Sequence, residues 1–232
     1  MLSKYFTNFG KNFKKKGAKT KKDKSSPGYD KEALIDSFAG IIPAHLSVGD
    51  LKPIDQSGFS PEGVDFIVYK KHCEDIAEIM NGYIPYELMR ASFFVADGLK
   101  KQDLFEVLNK IAMAKKMNSF SEKNDEVDEI VVPSFLIVLD SDYDFLELKN
   151  DIVNYYLSKN TEHHCELDIL MVMNRGLVVK NWRETRSFIA LETNEDTNMW
   201  FYILMDEYLN VQLPDTIDFR HYVKKEVVYK EY

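Results

Sequence analysis

Twice in this chain a short apolar run bounded by turn residues leads into a segment with apolar residues at helical spacing, and no other feature constrains the fold as strongly. The run "ASFFVADG" (91–98) is followed by "KKQDLFEVLNKIAMAKKM", whose Leu104, Leu108, Ile111 and Met113 fall at helical spacing. The run "IVVPSFLIVLD" (130–140) is followed by "YDFLELKNDIVNYYLSKN". Strands that feed helices in this way predict an α/β protein. Upstream, "YDKEALIDSFAGIIP" reads as a helix capped by Asp30 and stopped by Pro43, with Leu34, Ile35, Phe38, Ile41 and Ile42 turned inward. The runs "HLSVGDLKPI" and "GVDFIVYK" are strand-like, separated by the turn-rich "DQSGFSPEG". Downstream, "CELDILMVMNRGLVVK" reads as a hairpin turning at Asn174 to Gly176, "RSFIALE" as a strand and "NMWFYILMDEYLNVQL" as a closing helix. The expectation is one mixed central sheet, with strands near 46–54, 64–69, 91–96, 131–139, 167–173 and 177–180. Helices near 31–42 and 100–117 should flank it.

With 232 residues, 45% of them hydrophobic, the chain can bury one substantial core. No run is long enough to cross a bilayer and no secretory signal is visible, so a cytoplasmic protein is expected. Two cysteines, Cys73 and Cys165, are too few for a disulfide framework. The net charge of −8 conceals an asymmetry: residues 1–26 hold nine lysines against one acid, and the remainder carries an excess of sixteen acids. Such an acidic body disfavours general binding to a phosphate backbone. The chain therefore divides into a basic N-terminal segment, 1–28, and a globular domain, 29–232. Within the segment, Leu2, Phe6, Phe9 and Phe13 form an apolar stripe that suits a protein partner or a second copy of the chain. The lysines Lys14, Lys15, Lys16, Lys19, Lys21 and Lys22 offer the alternative of a nucleic-acid tether.

The stretch "PYELMRASFFVADGL" (85–99) contains a strand, Ala91–Ala96, that carries no charge on either face. Together with "KEALIDSFAGIIP", "GFSPEGVDFIVY" and "CELDILMVMNRGLVVK", it resembles the PD-(D/E)xK nuclease superfamily. The resemblance is to a bacterial branch that carries only a domain-of-unknown-function label, and it spans roughly residues 30–225. It implies a restriction-endonuclease-like α/β domain in which a helix Glu, a hairpin Asp and a Glu–x–Lys strand pair hold a divalent cation and position the attacking water. Glu32 and Asp65 stand at the first two positions; Phe94 and Ala96 stand where the strand Glu and Lys belong. The resemblance thus implies a vestigial pocket and a catalytically inactive protein without a metal cofactor. It would act as an accessory subunit of a larger complex, of the kind found in defence or mobile elements. The first alternative is an active Mg²⁺-dependent nuclease with relocated ligands. The second is a protein that tethers nucleic acid through the lysine segment.

Glu32 also reads simply as an acidic first-turn residue, and Asp65 as a strand-edge residue. "DSDYD" (140–144) has the opening spacing of a calcium loop, but Phe145 replaces the turn glycine. It reads better as a helix N-cap, with Asp142 or Asp144 as the capping residue. "HHC" (163–165) and "HC" (72–73) would make a four-ligand zinc site only if the fold brought them together, and isolated His and Cys at strand boundaries usually serve packing. No metal site is expected from them.

Overall fold

The protein is described by a computed structural model covering residues 28–55, 57–71, 74–117, 131–184, 186–210 and 230–232. The apolar stripe and the lysines of the N-terminal segment lie outside the described residues. The strands are β1 (Leu46–Gly49), β2 (Lys52–Ile54), β3 (Phe66–Lys70), β4 (Tyr83–Pro85), β5 (Met89–Gly98), β6 (Ser134–Asp140), β7 (Ile169–Val172), β8 (Gly176–Lys180), β9 (Phe188–Glu192) and β10 (Lys230–Glu231). The helices are α1 (Lys31–Ala39), α2 (Glu74–Ile79), α3 (Lys101–Ala114), α4 (Phe145–Lys159) and α5 (Thr197–Leu209). Eight strands form one sheet in the order β1-β3-β5-β6-β7-β8-β9-β10. Its centre, β5-β6-β7, is parallel and its flanks are antiparallel, so the sheet is mixed as expected.

The layers follow from alternation along the strands. Phe93 of β5, Phe135 and Ile137 of β6 and Met171 of β7 pack under α1 and α5, where Phe38, Phe201 and Met205 cover them. On the opposite face Phe94, Leu136, Val138 and Leu170 pack under α3 and α4, against Leu104, Leu108, Leu148 and Tyr156. Both faces of the central strands are thus buried, the condition under which parallel strands read as continuous apolar runs. Asp30 caps α1 by accepting from the Ala33 N–H at 3.2 Å, and Asp144 caps α4 by accepting from the Glu147 N–H at 3.0 Å. The hairpin turns at Asn174, in the left-handed region at φ 57°.

One expected strand divides. "HLSVGDLKPI" bends at Asp50, so β1 joins the main sheet while β2 pairs in parallel with β4 in a separate two-stranded ribbon. Pro53 has no N–H to donate and is excluded from a central strand, which favours this short ribbon. Helix α1 ends at Ala39, before the expected 42, where the Gly40 N–H closes onto the Asp36 carbonyl at 3.3 Å.

At the end of the sheet where β6 and β7 begin lies a buried ionic cluster. The Lys115 ammonium donates to the Asp168 carboxylate, and both side chains are almost wholly enclosed. The same carboxylate oxygen accepts the Ser134 N–H at 2.8 Å. Lys180 lies 3.8 Å from Glu166 and stacks over the Trp182 ring at 3.9 Å. Burial pulls the Lys180 ammonium down to about 8 and pushes the Glu166 carboxyl up. Both shifts favour the neutral forms, so desolvation outweighs the mutual attraction of this pair.

Candidate functional site

Asp65 stands just ahead of β3, where that strand comes alongside β5, and its N–H donates to the Phe93 carbonyl at 2.9 Å. Its carboxylate is held from two sides. Oδ2 accepts the Val95 N–H at 2.7 Å and Oδ1 accepts the Tyr29 hydroxyl at 2.5 Å. Burial raises the Asp65 carboxyl above the ordinary carboxylate range, against the lowering effect of these two bonds and of the Lys31 charge. Burial and the adjacent Asp65 likewise raise the Tyr29 hydroxyl, so it remains a donor.

The neighbours of Asp65 come from the α1 side of the sheet. Lys31, in the first turn of α1, is paired with Asp50 at 2.7 Å. Asp97 is exposed near the end of β5 and its carboxylate rests against Gly28; a Cβ at that glycine would stand 2.0 Å from Asp97 Oδ2. Both carboxylates therefore border the Gly28–Tyr29 segment, Asp97 directly and Asp65 through the Tyr29 hydroxyl. Strand alternation explains why. Phe93, Val95 and Asp97 share one face of β5, and Phe93 and Val95 pack in the α1 layer.

The remaining residues singled out from the sequence are placed differently. Phe94 is buried and Ala96 half-buried in the α3/α4 layer, on the other face of β5. Glu32 is exposed on α1. Asp97, Tyr29 and Lys31 were not among the expected site residues. The signal for Asp97 was its position, odd-numbered with Phe93 and Val95, on a strand that continues through Gly98.

A divalent magnesium ion takes hard oxygen ligands and is commonly held by one or two carboxylates plus substrate phosphates. Asp65 and Asp97 supply such oxygens, and each Asp65 oxygen accepts one hydrogen bond while offering two lone pairs. The donor chemistry here thus fits magnesium. Among the described residues, three ligating side chains converge within 4.8 Å at another place, Glu162, His164 and Cys165. That group precedes β7, at the opposite end of the sheet from Asp97, because β5, β6 and β7 run parallel.

No protein-family model matches the sequence, and no curated protein matches it. Solved structures do match in fold. NucC of P. aeruginosa ATCC27853 in its cAAA-bound form superposes with a TM-score of 0.67 at 15% identity, covering 96% of each chain. The cAAA-bound form of E. coli MS115-1 NucC gives 0.65 at 14% identity over 96% of each chain. The apo form of the same protein gives 0.63 at 14% identity, over 81% of this chain and 84% of that one. These matches overturn two expectations drawn from Phe94 and Ala96, that the protein is a non-cutting accessory subunit and that it has no metal cofactor. Among the described residues no helix is long and apolar enough to cross a membrane. This chain has a mixed α/β, nuclease-like fold that matches that of NucC.

Proposed function

We propose that the protein is a metal-dependent nuclease whose acidic centre is Asp65 with Asp97, the relocated counterpart of the strand Glu–x–Lys pair. The observation that carries this reading is the placement of Asp65: a buried carboxylate fixed by the Val95 N–H and the Tyr29 hydroxyl, on the side of the sheet that carries Asp97 and Lys31. The likeness to NucC supports it as an analogy of fold. Asp65 and Asp97 would hold the ion, which when bound supplies Lewis-acid stabilisation of the phosphate and an activated water. Tyr29 and Val95 orient the Asp65 carboxylate and resist its displacement by substrate charge. Lys31 supplies positive charge that attracts a phosphodiester to an otherwise acidic body. Self-association and a cyclic oligonucleotide ligand belong to the same reading, since NucC is solved with cAAA bound.

The test is cleavage of DNA and of RNA by the purified full chain with Mg²⁺ or Mn²⁺, with and without cAAA. Metal-dependent cleavage is expected, reduced at least about a hundredfold by Asp65→Asn and strongly by Asp97→Asn. Cleavage that survives both substitutions, or needs no metal, would sink the assignment.

Asp65→Asn has a second expected effect, on stability. The folded chain holds the Asp65 proton to higher pH than the unfolded chain does. This group therefore favours folding below the ordinary carboxylate range, about 3.9, and that contribution is lost as pH rises through its raised value. Asparagine does not titrate. The melting temperature of Asp65→Asn relative to the parent should rise between pH 4 and pH 8, and a flat or falling difference would contradict the burial of this charge.

A further inference from the structure

We propose that Glu162, His164 and Cys165 form a binding site for one transition-metal ion of the zinc class, separate from the Asp65 centre. The three side chains offer an oxygen, a nitrogen and a sulfur that all lie within 4.8 Å of one another. His164 Nε2 is 3.3 Å from Glu162 Oε2. A tetrahedral zinc ion, with ligand distances of about 2.0–2.3 Å, requires only a small further contraction of such a triangle.

The backbone holds His164 and Cys165 on one tight 3₁₀ turn, His163–Cys165, with Glu162 immediately before it as the N-cap residue. Cys165 N–H donates to the Glu162 carbonyl at 2.9 Å and Glu166 N–H to the His163 carbonyl at 3.2 Å. His163 is engaged elsewhere. Its Nδ1 pairs with Glu166 at 3.0 Å and its ring stands edge-on to Trp182 at 5.4 Å. That leaves His164, partly exposed, beside Glu162 as the imidazole of the site. Cys165 is buried beneath them, its Sγ 3.8 Å from the Lys115 carbonyl oxygen.

The donor types choose the ion. Thiolate and imidazole favour zinc-class metals, whereas magnesium and calcium require an all-oxygen set. Binding forms the metal–sulfur bond as the Cys165 thiol gives its proton to solvent, with no change of oxidation state. Three protein ligands leave a fourth position for water, and a surface cavity lined by Thr161, Glu162 and Arg186 adjoins the turn. The ion would clasp the turn that leads into Glu166 and Asp168, the acidic half of the buried ionic cluster.

The experiment uses the reduced full chain, stripped with a chelator and titrated with Co²⁺ as a spectroscopic probe, then with Zn²⁺ in competition. One equivalent is expected to bind with a thiolate-to-cobalt charge-transfer band, to be displaced by Zn²⁺ and to resist a hundredfold excess of Mg²⁺. Cys165→Ser should abolish the band, His164→Ala and Glu162→Gln should weaken binding at least tenfold, and Cys73→Ser should leave it intact. If Cys165→Ser fails to fold, the two partly exposed variants carry the test, because their folding can be checked without metal. No sulfur band, a band lost only with Cys73→Ser, or binding unchanged in the His164 and Glu162 variants would overturn the site. None of these readouts depends on nuclease activity.

Discussion

Lys115→Met is expected to destabilise the protein by about 3–5 kcal/mol, the range for breaking a buried ion pair by removing one partner. The substitution keeps the length of the side chain and removes its charge. Asp168 is then left enclosed with only the Ser134 N–H on one oxygen, and its Oδ1 already has no protein partner. Against a typical total stability of about 5–15 kcal/mol, such a loss is visible as a large fall in the urea midpoint. Replacing both partners, Lys115→Met with Asp168→Leu, should recover most of the loss, since a buried apolar pair costs little where a lone charge costs much. A single variant as stable as the parent, or a double variant no better than the single, would show that the pair is not enclosed as described.

Phe93→Ala should cost a comparable amount, about 3–5 kcal/mol, for a different reason. Phe93 is completely buried at the meeting point of four rings. It stacks on Phe66 at 4.5 Å and contacts Phe38 at 4.9 Å and Phe135 at 5.1 Å. Truncation leaves a cavity that neighbouring rings from two strands and a helix cannot all collapse to fill. The same residue's carbonyl accepts the Asp65 N–H, so the loss should reach the acidic centre. Under the proposed function, cleavage at a temperature where the variant remains folded should fall as well. Phe93→Leu is the measure of specificity, with a smaller stability loss expected; equal losses for Leu and Ala would point to ring geometry over volume.

The parts of the fold that were legible in the sequence are those fixed by local chemistry. Asp30 and Asp144 cap helices because a short acidic side chain before an apolar period satisfies free N–H groups, wherever the helix later packs. The turn at Asn174 and the buried runs of β5 and β6 are likewise properties of a few consecutive residues. What could not be read was which face of β5 belongs to Asp65. Alternation says that Phe94 and Ala96 share one side and Phe93, Val95 and Asp97 the other, but not which side α1 covers. Reading Asp97-Gly98 as the strand's end hid Asp97, whereas the strand runs through Gly98. The ionic cluster was invisible for a related reason. Lys115, Glu166, Asp168 and Lys180 look like ordinary surface charges until tertiary pairing encloses them.

The position of Asp65 between distant parts of the chain also has a kinetic consequence. Its two side-chain hydrogen bonds reach 30 residues forward to Val95 and 36 residues back to Tyr29, and the β5–β6 pairing beside it joins Ser92 to Ser134, 42 residues apart. Closing loops of this size carries an entropic cost before any contact rewards it, while the β7–β8 hairpin closes locally. The acidic centre therefore belongs to the late-forming part of the molecule. A chain still emerging from the ribosome, or one opened by partial unfolding, carries all the residues of that centre without its arrangement, so under the proposed function competence to act on a phosphodiester comes only with completion of the sheet.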